Sequence, residues 1–132
     1  RQMCIRDRYR TSNINEKSII ISVNLVKQTT NFDMNLLNLL NQKRKISQPI
    51  NQLSCGCIFK NPSGDYAARL IDSAQLKGSR AGGIYISHKH SNYFINDGSG
   101  TYTDFLVLLR RVKEVVASKF SVQLDEEVIL LK

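Results

Sequence analysis

Hydrophobic and polar positions change period several times along this chain, and each change marks an element. Over residues 18–27 they alternate, with Ile19, Ile21, Val23 and Leu25 on one face. A two-residue period predicts a strand with one buried side. Met34, Leu37 and Leu40 then recur at helical spacing behind Asp33, a good N-cap, which predicts a helix over 33–45. Its basic end, Lys43-Arg44-Lys45, suits the negative pole of a helix. Residues 47–54, with Pro49 and two glutamines, read as a connection.

The remaining chain is denser in signals. Residues 55–59 form a short apolar strand, stopped by the turn Asn61-Pro62-Ser63-Gly64. Asp65 is placed to cap a helix over 66–75, whose Ala67, Leu70, Ile71 and Ala74 make one stripe, and Gly78 ends it. Gly82-Gly83 precede a strand at 84–87, and a second follows at 91–96. After the turn Asp97-Gly98-Ser99-Gly100, Thr103 caps the longest helix, 104–119, with Phe105, Leu108, Leu109, Val112, Val115 and Val116 on its apolar face. Residues 122–131 close the chain as a strand or strand pair. Strands and helices mix without strict βαβ alternation. The expectation is therefore α+β, a mixed or antiparallel sheet covered by two or three helices. A composition change near 46–54 marks a domain boundary.

Composition narrows the function classes. At 132 residues the chain suffices for one core, and 42% apolar residues exclude a disordered protein. No apolar run nears the roughly 18–20 residues of a membrane helix, so no membrane partner is expected. Three cysteines, an odd number, argue against a secreted disulfide scaffold and for a reducing compartment. Nineteen Lys and Arg against eleven Asp and Glu leave +8, which favours an anionic partner. Part of that charge comes from Arg1, Arg6, Arg8 and Arg10 against Asp7. Residues 1–8 resemble translated sequencing adaptor and are expected to be a non-native leader.

Two pairs, Cys55-x-Cys57 and His88-x-His90, invite a zinc reading. Zinc sites more often use Cys-x-x-Cys, and each pair here would need a second strand meeting its end, so no metal is expected. Nothing fits the glycine fingerprints of dinucleotide or P-loop binding. The basic residues do not interleave with aromatics as on an RNA-binding sheet, so nucleic acid is not expected either. Asp125-Glu126-Glu127 reads as a solvated acidic edge.

The residues in order say more. Ser47-Gln48-Pro49, then Ser54-Cys55-Gly56-Cys57-Ile58-Phe59-Lys60-Asn61-Pro62, then Leu70-Ile71-Asp72 and Leu76-Lys77-Gly78 resemble the UDP-N-acetylenolpyruvoylglucosamine reductase family. The resemblance continues through Gly82-Gly83, Ser87, His90, Asn92 and Phe94-Ile95-Asn96 to Leu124-Asp125-Glu126-Glu127-Val128. It reaches back to Tyr9-Arg10-Thr11-Ser12, and the compact segment before Pro49 is similar to the short-form, type II branch.

The resemblance implies a flavoenzyme. Such enzymes reduce the enolpyruvyl ether of UDP-N-acetylglucosamine to UDP-N-acetylmuramate in peptidoglycan synthesis, in the cytoplasm, with NADPH as reductant and FAD as hydride carrier. It implies a tail of a flavin-binding domain at 9–46, a substrate-binding C-terminal domain at 47–132, a FAD site mostly outside this chain, and a monomer. The resemblance makes Arg10, Cys57 and Glu127 catalytic: Arg10 for the substrate carboxylate, Cys57 as proton donor in place of the usual serine, Glu127 beside the developing enol. It assigns Asn61, Lys77 and His90 to substrate binding. All but Asn61 have an ordinary alternative: stray charge for Arg10, small buried hydrophobe for Cys57, solvated acid for Glu127, helix-end charge for Lys77 and packing for His90. Three departures stand out: Asp125-Glu126 for Glu-Pro, Ser121 for a helix-ending glycine, and Cys57 for serine. The competing class is a stand-alone basic module that binds nucleic acid or nucleotides without catalysis.

Overall fold

Alternation qualifies a segment to pair, but a strand forms only where a neighbour takes its N–H and C=O groups. The computed structural model describes residues 14, 17–24 and 33–130, in a chain that falls into two units, Arg1–Met34 and Asn35–Lys132. In the first unit, residues 18–24 carry no strand pairing, and Ile19 (88%) and Ile21 (94%) are exposed. The strand expected over 18–27 is thus missing from its described part, and residues 25–27 lie outside the described ones.

Helix α1, Met34–Ser47, forms where the spacing predicts it. It runs past Lys45 because the Ser47 hydroxyl donates to the Lys43 carbonyl at 2.9 Å. None of its side chains is buried, so the leucine stripe is a helix signal without a core contact.

The core lies in the second unit. Helix α2, Ala67–Ser73, buries Ala67, Leu70 and Ile71. It is shorter than the expected 66–75: Gln75 takes a left-handed backbone at φ 62, before Gly78. Asp65 is not its side-chain cap; its carboxylate takes the Tyr66 N–H (2.6 Å) and the Arg69 guanidinium instead. Strands β1 (Arg80–Ala81), β2 (Ile84–Ile86) and β3 (Phe94–Asn96) make one antiparallel sheet in that order. Gly82-Gly83 are the two-residue turn joining β1 and β2, with Gly82 at φ +51, as such tight hairpins require. A Cβ on Gly83 would stand 2.3 Å from the Gly100 nitrogen, so backbone meets backbone there.

Helix α3, Tyr102–Phe120, covers the sheet with Leu108, Leu109, Val112 and Val116 buried. Its cap is Thr101, not Thr103. The Thr101 hydroxyl accepts the Asp104 N–H and the Asp104 carboxylate accepts the Thr101 N–H, a reciprocal capping box. Ser121 ends α3 at φ 56, ψ 29, the left-handed geometry usually given to glycine. Phe94 joins the layers, edge-on to Phe59 at 6.2 Å and to Phe105 at 5.5 Å. The α+β expectation stands: three helices and a small antiparallel sheet, with α2 and α3 supplying the buried faces.

Two segments extend the sheet by single bridges instead of full strands. Cys57 pairs with Tyr93, and Phe59 pairs with Glu126, both antiparallel. The strand expected at 55–59 is this bridging segment. The strand or pair expected at 122–131 is reduced to the Glu126 bridge within its described part. Each is held on one side only briefly, which is why neither forms a continuous ladder.

Candidate functional site

The central segment 57–59 lies between residues 92–94 and 125–127. Ile58 N–H donates to the Asn92 carbonyl (2.9 Å), Glu127 N–H to the Ile58 carbonyl (2.8 Å) and Lys60 N–H to the Asp125 carbonyl (2.9 Å). Asn92 locks it further. Its buried carboxamide accepts the Phe59 N–H at 2.9 Å and donates to the Phe59 carbonyl at 2.8 Å, a two-point clamp on one residue's backbone.

That clamp sets Cys57 across from Tyr93, and the thiol and the phenol share a hydrogen bond. Burial pushes the Tyr93 hydroxyl pKa up, the neighbouring Cys57 and the Glu127 carboxylate push it the same way, and the Arg44 guanidinium pulls it partly back. The phenol stays protonated and able to donate. His90 stacks edge-on against Tyr93 at 4.7 Å. Burial lowers the His90 pKa, and the nearby Lys77 charge lowers it too. Its Nδ1 accepts the Asn92 N–H at 3.3 Å, so the neutral ring carries its proton on Nε2.

Extended backbone sends neighbouring side chains to opposite faces, which separates the acids at the C-terminal end. Glu126 pairs with Lys113 of α3 at 2.7 Å, and this contact lowers its pKa. Glu127 acts on Tyr93 and lines a groove of about 640 Å³ with Cys55, Tyr102, Phe105 and residues 128–130. The acidic triplet is therefore not one uniform solvated edge.

The expected site residues divide accordingly. Cys57, Glu127 and His90 lie about Tyr93, while Lys77 acts on His90 and holds Asp72 at 2.9 Å. The side-chain oxygen of Asn61 accepts the Ala67 N–H at 3.1 Å, at the start of α2. Arg10 lies outside the described residues. Tyr93 and Asn92 are the site residues that the sequence pattern does not single out. Asn92 is one letter of a motif there and Tyr93 one position of a strand, because the partner opposite each is set by pairing.

A second cleft of about 360 Å³ has Lys45, His88 and Lys89 among its lining, with Gln48, Asn51 and Gln52 and no carboxylate. The Lys89 ammonium donates to the Lys45 carbonyl at 2.6 Å, which holds it at the cleft. Among the described residues, no group of three or more His, Cys, Asp or Glu side chains could hold a metal. No helix among them is long and apolar enough to cross a membrane. The described residues do not fit a FAD site either. The 640 Å³ groove is mostly apolar and carries the Glu127 carboxylate, with no cation among its lining residues for a dinucleotide's phosphates.

Comparison with known proteins follows the same residues. A family model described as UDP-N-acetylenolpyruvoylglucosamine reductase, C-terminal domain, matches residues 48–131. A UDP-N-acetylenolpyruvoylglucosamine reductase from Oceanobacillus iheyensis is 36% identical over 126 residues, 93% of this chain and 41% of the relative. One from Coxiella burnetii is 44% identical over 95 residues, 72% of this chain and 30% of the relative. The crystal structure of the reductase from Thermus caldophilus superposes with a TM-score of 0.60 at 38% identity, covering 71% of this chain and 32% of that one. This chain thus spans less than half the length of these relatives. A match over residues 48–131, on the fold and sequence just described, shows that the chain belongs to the UDP-N-acetylenolpyruvoylglucosamine reductase family and carries its C-terminal domain.

Proposed function

We propose that residues 47–132 are the substrate-binding domain of a reductase that converts UDP-N-acetylglucosamine enolpyruvate to UDP-N-acetylmuramate in the cytoplasm, for peptidoglycan synthesis. In this reading 9–46 are the tail of a flavin-binding domain, the enzyme acts as a monomer, and the chain alone is inactive. NADPH and FAD, held elsewhere in such an enzyme, supply the hydride. This chain's residues handle the substrate and the proton.

The single observation that carries the reading is the Cys57 thiol set opposite the Tyr93 phenol by their backbone bridge, with the Glu127 carboxylate near enough to act on the phenol. Hydride addition to C3 of the enolpyruvyl group leaves negative charge on C2 and its carboxylate, and C2 takes a proton. The Cys57 S–H donates it, since an ordinary thiol with a pKa of about 8.5 is protonated at neutral pH yet far more acidic than a serine hydroxyl. Tyr93 holds the sulfur by their hydrogen bond, and Glu127 borders the developing enol. Arg10 would pair with the substrate carboxylate. Lys77, His90 and the Asn61 amide nitrogen would meet the nucleotide sugar, in keeping with a chain of net charge +8.

The test is stopped-flow kinetics on an intact reductase carrying this domain. General acid catalysis is typically worth about 10² to 10⁴ in rate, so Cys57→Ala slows reoxidation of the reduced enzyme by enolpyruvyl substrate by about that factor. Reduction by NADPH stays unchanged, and Cys57→Ser retains much of the activity. Reoxidation of Cys57→Ala at the unmodified rate would show that the proton comes from elsewhere. Calorimetry on this chain adds a check: equal binding of UDP-N-acetylglucosamine and unrelated polyanions counts against a substrate domain.

A further inference from the structure

Cys55 and Cys57 stand two residues apart, and both carry reduced thiols. Cys55 is exposed and lines two grooves, of about 380 and 640 Å³, so small solutes reach it. Cys57 is half-buried and held at Tyr93. Between them Gly56 has φ +90, far from strand geometry, and a Cβ built there would meet nothing within 4 Å. Two peptide units separate the Cα atoms by at most about 7 Å when extended, and any bend at the middle residue brings them within the roughly 4.4–6.8 Å of a disulfide. A glycine with open space around it is the residue that permits such a bend. Residues 54–56 carry no strand or helix, and among the described residues the only backbone pairing of the ring is the single bridge of Cys57 to Tyr93.

We propose that Cys55-Gly56-Cys57 is a redox modification site that closes to a disulfide on exposure to peroxide. The Cys55 thiolate attacks one peroxide oxygen; the O–O bond breaks, water leaves, and Cys55 becomes a sulfenic acid. The Cys57 sulfur then attacks the Cys55 sulfur. The S–S bond forms, the S–O bond breaks, and the thiol proton leaves with the hydroxyl as a second water. Two thiols are oxidised and one peroxide is reduced to two waters. A ring this small is strained, which places it among the disulfides that a dithiol readily reverses. Disulfide formation stands independently of the proposed reductase role; where that role holds, closure removes the Cys57 S–H and silences proton donation.

The experiment uses the complete chain with Cys4→Ser, which removes the third cysteine. The reduced protein is treated with equimolar hydrogen peroxide, alkylated, digested and mapped by mass spectrometry. The expected result is a loss of two hydrogens, loss of both alkylation equivalents, and a 55–57 crosslink within one chain, all reversed by dithiothreitol. Cys57→Ser leaves the same treatment at a Cys55 sulfenic acid or a Cys55–Cys55 dimer, because the resolving sulfur is gone. The proposal is overturned if the peroxide-treated chain still alkylates at both positions. It is equally overturned if Cys55 overoxidises or dimerises while Cys57 is present.

Discussion

At the residue scale two members of the cluster, Tyr93 and His90, have proton affinities moved by burial and by neighbouring groups. His90 is the clearest case, since burial and Lys77 hold its pKa below the ordinary 6.5. As pH falls through about 6.5, the unfolded chain takes up that proton before the folded one does, so folding stability declines until the folded ring also protonates. In an NMR titration the His90 ring should titrate below 6.5, with urea midpoints falling over the same range. A midpoint above that ordinary value would contradict the burial argument. Asn92 gives the strongest energetic prediction. Asn92→Ala leaves the Phe59 N–H and C=O without their clamp in a residue 1% exposed, and each unsatisfied buried group costs about 1–3 kcal/mol. Urea unfolding should show a loss of about 2–4 kcal/mol; a loss under about 0.5 would mean that water replaces the amide.

Among the elements, helix faces are more legible than helix ends. The stripes Ala67-Leu70-Ile71-Ala74 and Leu108-Leu109-Val112-Val116 are buried as their spacing predicts. The cap of α3 lies two residues before the expected Thr103, although its signal is present in the sequence. Thr101 followed three positions later by Asp104 is a capping-box pattern, and Thr103 has no such acid. The α2 ending at Ser73 has no comparable signal, because Gln75 rarely adopts a left-handed backbone. Ser121 stands in a glycine's place by sequence, and its φ of 56 agrees. Ser121→Gly relieves left-handed strain of about 1 kcal/mol and adds unfolded-chain entropy worth about 0.5 kcal/mol. The net expectation is a gain of about 0.5 kcal/mol in urea unfolding. A net loss would mean that the serine hydroxyl has a partner worth more than the strain.

For the whole molecule, the described grooves pair no cation with the space a flavin dinucleotide would need. Added FAD should therefore leave the purified chain on desalting; a stoichiometric flavin spectrum afterwards would overturn this, and would also place a cofactor site within these 132 residues. The sequence by itself determined the α+β class, the helix faces, the turn residues and the family, because side-chain periodicity and an ordered set of motif residues are local properties. It determined the chemical types at the site as well. The tertiary structure decided which of them meet: Cys57 with Tyr93, Glu126 with Lys113 while Glu127 lines the groove beside Cys55 and Tyr102, and Asn61 with the Ala67 N–H. It also decided that residues 18–24 form no strand despite their alternation. Strand pairing and the contacts across it join residues tens of positions apart, and no local pattern specifies which backbone will be the neighbour.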